Sequence, residues 1–371
     1  MRKITQYILT LIVILSAAAW PLQTVTAQDE GLQIRITQVD NSRFPQVTVY
    51  ISVTNAAGEP MAIDPSHLQI YENGQLMAPQ AVSGSGDIGS LTTLLVVDVS
   101  GSMEKSGKLA GAKTAAKTYV DQMRPSDQAG LISFNTAVQN VQPVTSDHQA
   151  LIQAIDSLQP LGNTAMFDAL VRAIQSLEGV PGRKAIIVMT DGLDNRSRAT
   201  ADEVITAIGP GGLSISTIGL GDPKEAGNNY GLDEPALRSL AERAGGAYSF
   251  ATDPAALAGL YQLFGRALQG EYRITYTSPS ALRDGINRTL AVSLAGSTLS
   301  AQGKYNPGGV LPEVARRSWV LFGGILAGLA VLLVIPMLLS RGGEALGGAK
   351  RKSRIKLGKP ASRRKVRIKL K

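Results

Sequence analysis

The sequence predicts an α/β fold, a doubly wound and mostly parallel sheet flanked by or inserted in an antiparallel β-sandwich, plus one transmembrane helix. Three observations lead there. Over residues 91–268, short apolar runs alternate with amphipathic helical stretches, the pattern of a parallel sheet covered on both faces. On either side of that region, segments alternate apolar with polar residues between Asn, Gly and Pro turns, the period of half-buried antiparallel strands. Residues 319–339 then carry no charge, and at about 1.5 Å per residue they are long enough to cross a hydrocarbon core of about 30 Å.

Taken in order, residues 1–27 open with Arg2 and Lys3, run through an apolar stretch and end in small residues at Ala27, as a secretory signal peptide does. Residues 28–89 read as a β-strand domain, an immunoglobulin-like half, with strands over 32–37, 46–53 and 68–71; the Gly- and Ser-rich stretch 83–90 reads as a flexible joint. Residues 90–269 are the α/β domain. Helices are expected over 108–123, 149–158, 164–177, 201–208, 234–244 and 254–268, and strands over 129–134, 185–190, 213–219 and 247–250. Leu109, Ala112, Ala116 and Val120 form a core-facing helical stripe, and Asp233 before Pro235 reads as a helix cap. The glycine-rich turns at 209–212 and 219–222 are expected to shape the rim of the site described below. Residues 270–310 return to strands, over 271–277 and 288–294. They either complete one sandwich around an inserted α/β domain or form a separate small sheet.

Residues 319–339 form the expected span, with Trp319 at the outer interface. Residues 340–371 are a basic tail: positions 341–371 hold 13 Lys and Arg against one acid, Glu344, whereas residues 28–315 hold 20 basic and 28 acidic residues. The overall net charge of +8 hides this segregation, which places the tail in the cytoplasm and the preceding domains outside it. The expected location is therefore the cell membrane, single-pass. The chain has no Cys, so no disulfide supports the exported part.

Residues 94–103 read Leu-Leu-Val-Val-Asp-Val-Ser-Gly-Ser-Met, an apolar strand that delivers Asp98, Ser100 and Ser102 onto one turn. Three hard oxygen donors at alternate positions suit Mg²⁺ or Mn²⁺, although three side chains cannot fill an octahedral shell. Two later segments can add donors. Thr164 follows Gly162 and Asn163 at a helix start, and Asp191 ends a second apolar strand reading Ala-Ile-Ile-Val-Met-Thr-Asp-Gly. Thr190 and Asn195 read as structural neighbours, and Asp194 either as an acceptor behind the ligands or, the simpler reading, as a solvated loop carboxylate.

An Asp-x-Ser-x-Ser loop, a later Thr in a Gly-Asn-Thr turn and a strand ending Thr-Asp-Gly resemble, in order and spacing, the von Willebrand factor type A domain. The resemblance implies a metal ion-dependent adhesion site at Asp98, Ser100, Ser102, Thr164 and Asp191. In that family the hydroxyls bind the ion directly and carboxylates act partly through water. A position is left that a partner's carboxylate completes.

Nothing in the sequence forms catalytic machinery. The two His, His67 and His148, lie away from the metal loop, and there is no nucleophile elbow, zinc helix or phosphate loop, so no enzyme is expected. The expected function is a membrane-anchored binding module of bacterial type that takes an extracytoplasmic protein offering an Asp or Glu. The alternative is an assembly or signalling subunit acting through the tail, where Arg354-Ile-Lys-Leu357 and Arg367-Ile-Lys-Leu370 could meet anionic lipid. Nucleic acid is disfavoured, because the tail has no aromatic to stack on bases.

Overall fold

The computed structural model describes residues 31–221, 232–309 and 322–333. The chain divides into two units, Met1–Glu313 and Val314–Lys371. In the second, residues 322–333 are helical. Among the described residues no helix is long and apolar enough to cross a membrane. The expected signal peptide, the remainder of the 319–339 span and the basic tail lie outside the described residues.

The first unit begins with β1 (Gln33–Asp40), β2 (Gln46–Thr54), β3 (Leu68–Glu72), β4 (Gln75–Leu76) and β5 (Pro79–Ser83). The α/β part follows as β6 (Leu91–Asp98), α1 (Lys108–Asp121), β7 (Gln128–Phe134), β8 (Val138–Thr145), α2 (His148–Asp156) and α3 (Met166–Ser176). It continues through β9 (Arg183–Thr190), α4 (Ala201–Ala207), β10 (Ser214–Leu220), α5 (Glu234–Arg243), β11 (Gly245–Ala251) and α6 (Pro254–Gln269). Three strands close the unit: β12 (Tyr272–Thr277), β13 (Arg288–Leu294) and β14 (Ser300–Tyr305).

The central sheet has the order β11-β10-β9-β6-β7-β8, parallel except for β8. Its inner strands show why the sequence runs of Leu, Ile and Val lack alternation. Leu95 and Val97 of β6 pack on one face against Leu109, Ala112 and Val120 of α1, Ile155 of α2 and Tyr261 of α6. Leu94 and Val96 pack on the other against Leu170 of α3, Val204 of α4 and Leu237 of α5. Every position of β6, β9 and β10 is buried. Each large apolar side chain sealed in this way contributes about 1.5–3 kcal/mol relative to exposure.

Two antiparallel sheets, β1-β2-β12-β5 and β14-β13-β3-β4, share a single core that includes Val49, Ile51, Ile70, Ile274, Leu290 and Val292. Each takes strands from both sides of the α/β part. The chain leaves this sandwich through β5 and returns through β12, and these two strands pair directly, Arg273 opposite Ser83. An insertion between neighbouring strands leaves the sandwich register undisturbed.

Four expectations are corrected. The edge strand β8 is absent from the sequence reading, because Val-Gln-Asn-Val-Gln-Pro-Val-Thr is polar, carries a Pro and is only half covered. The 83–90 joint is pinned: the Arg124 guanidinium donates to the carbonyls of Gly86 and Gly89, Arg273 donates to that of Ile88, and the Ile88 side chain is buried. Helix α3 starts at Met166, two residues past the expected Thr164, because loop contacts hold Thr164 outside it. The 209–212 turn precedes β10 and packs on the sandwich, with Asn41 N donating to the Pro210 carbonyl, so it lies at the sheet end opposite the expected rim.

Candidate metal centre

In a doubly wound sheet, ligands gather beyond the carboxyl ends of the strands, at the point where the strand order reverses. Here that point lies between β6 and β9: the chain proceeds from β6 outward through β7 on one side, and from β9 through β10 and β11 on the other. Asp98 ends β6, and Asp191 follows Thr190 at the end of β9. Both carboxylates sit at the switch.

Asp98 is fully buried. Its Oδ1 accepts from Ser100 N at 2.8 Å and its Oδ2 from Thr190 Oγ1 at 2.6 Å. Burial pushes its carboxyl up to about 6; the hydrogen bonds from Thr190 and Ser100 oppose that rise, and the negative charge of Asp191 adds to it. Among the described residues Asp98 has no ion-pair partner.

Asp191 is organised differently. Its Oδ1 accepts from Ser102 Oγ at 2.6 Å, and its Oδ2 from Lys108 Nζ at 2.7 Å. The hydroxyls of Ser100 and Ser102 are 3.0 Å apart. The turn that carries them is anchored by Met103, which is fully buried, and by the bond from Gly101 N to the Gly162 carbonyl at 2.9 Å.

The Gly162–Thr164 turn is set by contacts rather than by regular structure. Gly162 has φ +81°, and a Cβ there would come within 2.6 Å of Thr136 Oγ1, so only Gly fits. Thr136 Oγ1 accepts from Asn163 N, Asn195 Oδ1 accepts from Thr164 N, and the Thr164 carbonyl accepts from Asn195 N. Thr164 is buried, and its Oγ1 would be 3.6 Å from a Cβ built on Gly192, which places the hydroxyl beside the residue after Asp191.

All five predicted residues thus meet at one end of the sheet. Thr190 and Asn195 are positioning neighbours, as their sequence context indicates. Asp194 is not a solvated loop carboxylate: it accepts from Phe167 N in the first turn of α3 and from Ser197 N and Oγ, so it is a cap and loop clamp. Asp168 does the reverse from α3, accepting from Arg198 N and Ala199 N. Lys108 joins the site through its ion pair with Asp191, a pairing that the sequence does not display.

The donor set is two carboxylates and three hydroxyls. Among the described residues no cluster of three or more His, Cys, Asp or Glu is gathered around a metal position. Oxygen-only donors of this kind fit a hard divalent cation and leave its charge incompletely neutralised.

Among known families, the model that matches residues 93–193 describes the von Willebrand factor type A domain. The chain carries a von Willebrand factor type A (VWA) domain. The matched residues run from β6 to just past Asp191 and contain all five donors. A UPF0353 protein from Mycolicibacterium paratuberculosis is 33% identical over 149 residues, covering 35% of this chain and 44% of that protein. One from Nocardia farcinica is 25% identical over 260 residues, covering 59% and 76%. The chain spans about half the length of the first such relatives. A solved structure, von Willebrand factor type A from Catenulispora acidiphila, is 15% identical, covers 75% of this chain and 74% of its own, and has a TM-score of 0.45.

Proposed function

We propose that this chain is a membrane-anchored extracytoplasmic binding module, acting in adhesion or in assembly of a surface complex. Its VWA domain holds Mg²⁺ or Mn²⁺ through Asp98, Ser100, Ser102, Thr164 and Asp191. An Asp or Glu of a partner protein then supplies a further ligand. The observation that carries the reading is the convergence of two buried carboxylates and three hydroxyls at the switch point of the sheet. An ion with only two protein carboxylates stays electrophilic, so a third carboxylate from outside is a strong ligand even at a wet surface.

The reading is one of recognition: the domain's residues hold and orient, and no bond is made or broken. Anchoring and orientation rest on the uncharged 319–339 segment and the strongly basic residues after it.

The test uses the full-length chain purified in detergent. Calorimetric titration with Mn²⁺ should show one site in the wild type and none in Asp98→Ala. Envelope proteins retained by the wild type with Mg²⁺ should be released by chelator and should not be retained by Asp98→Ala. Equal Mn²⁺ binding by both proteins would sink the assignment.

A further inference from the structure

Lys108 is the first residue of α1, an unusual place for a cation. The amino-terminal end of a helix carries partial positive charge and favours acids. The chain reaches that position through two consecutive left-handed residues, Ser106 at φ 56° and Gly107 at φ 70°, which turn the helix start toward the site. Its ammonium lies 2.7 Å from Asp191 Oδ2, and the Asp191 side chain is wholly buried while that of Lys108 keeps 23% exposure. With Ser102 Oγ on Oδ1 and Lys108 on Oδ2, both oxygens of Asp191 are engaged from within the chain.

We infer that Lys108 is a built-in counter-cation that occupies Asp191 when no divalent ion is bound and must be displaced for one to bind. The inference rests on the reading of Asp98, Ser100, Ser102, Thr164 and Asp191 as the cation site, and deepens it. A doubly charged ion arriving between Asp98 and Asp191 meets the ammonium at short range, and the two repel. Lysine suits the role because its charge sits on a flexible four-carbon stem, one side of which already faces water. It can leave without moving the helix. The metal-free protein is thereby spared a second uncompensated buried carboxylate beside Asp98, and the affinity for the ion is set lower than the donors alone would give.

The experiment titrates Mn²⁺ into the full-length chain in detergent, comparing wild type with Lys108→Met, which keeps the length and loses the charge, and Lys108→Arg, which keeps a cation. Thermal unfolding of each is followed in chelator and in saturating Mn²⁺. Lys108→Met should bind Mn²⁺ about tenfold more tightly than wild type, equivalent to about 1.4 kcal/mol, and Lys108→Arg no more tightly than wild type. In chelator Lys108→Met should melt lower than wild type, and Mn²⁺ should raise its melting temperature by more. If Lys108→Met binds Mn²⁺ no more tightly than wild type while Asp98→Ala does not bind it, the counter-cation role is overturned and the metal site stands. If neither wild type nor Lys108→Met binds Mn²⁺, the site assignment fails and takes this inference with it.

Discussion

Strand β9 buries a charge at each end and treats the two oppositely. At its start, Arg183 is fully buried, yet its guanidinium is saturated. It donates to Glu271 through Nε at 2.5 Å and Nη2 at 2.9 Å, to Ser214 Oγ at 2.7 Å, to Gln38 Oε1 at 3.1 Å and to the Lys184 carbonyl. Glu271 lies just before β12 and Gln38 is in β1, so this network ties the inserted sheet to the sandwich. Just past the other end, Asp191 lies near enough to Asp98 for their charges to oppose each other, and one flexible lysine answers two buried carboxylates. A buried charge with all its partners is a fastener. Buried charges short of partners form a site that invites a ligand.

The largest expected effect comes from breaking the fastener. Arg183→Met leaves Glu271 buried without its ion partner, and losing one member of such a pair costs about 3–5 kcal/mol. Urea unfolding should show that loss equally with and without Mn²⁺. Adding Glu271→Leu should recover most of it, because an apolar pair of similar volume needs no compensation. A loss confined to the metal-bound protein would contradict the division of labour between the two ends.

The site end should respond to pH in a way the fastener does not. The carboxyl of Asp98 is pushed up to about 6 by burial, above its ordinary value near 4. An acid that holds its proton more tightly when folded adds stability at low pH and loses it as pH rises, here between about 4 and 6. The full difference is about 3 kcal/mol. In chelator, wild type should therefore lose stability over that window relative to Asp98→Asn, which cannot ionise and can still meet Thr190 and Ser100. Parallel pH profiles for the two proteins would show that Asp98 is not the group held short of charge.

The sequence displays these two ends unequally. The apolar runs of β6, β9 and β10 are legible because burial on both faces demands continuous hydrophobicity, and the donors are legible because they sit where such runs stop. Strand β8 is not legible, since an edge strand needs neither continuity nor alternation when half of it faces water. Arg183 precedes the apolar run 185–190, and nothing in its local sequence marks it as buried. Its side-chain partners are 31, 88 and 145 positions away, and only the fold reveals that three distant segments close over it. Lys108 is hidden for the same reason, its partner lying 83 positions on. Local pattern reports what the backbone must do; pairing between remote charges has no local signature.

Asp194 offers the smallest test and the finest division between the two kinds of charge. It lies at the site end but behaves as a fastener: Ala165, which precedes α3, has no side-chain acceptor, and the Asp194 carboxylate reaches across the loop to accept from Phe167 N instead. The same loop carries Asn195, whose backbone and side chain hold Thr164 in place. Asp194→Ala should cost about 1 kcal/mol, the usual value of a helix cap, whereas Asp194→Asn, which keeps an acceptor, should cost less. Because Thr164 is held through that loop, Asp194→Ala should also weaken Mn²⁺ by a few-fold, on the order of 1 kcal/mol or less. Arg183→Met, in contrast, should leave Mn²⁺ affinity unchanged in whatever fraction remains folded. If Asp194→Ala lowers stability and spares affinity, the Thr164 hydroxyl is held by the 162–164 turn alone, through Gly162 and Thr136, and the loop after β9 serves the helix rather than the ion.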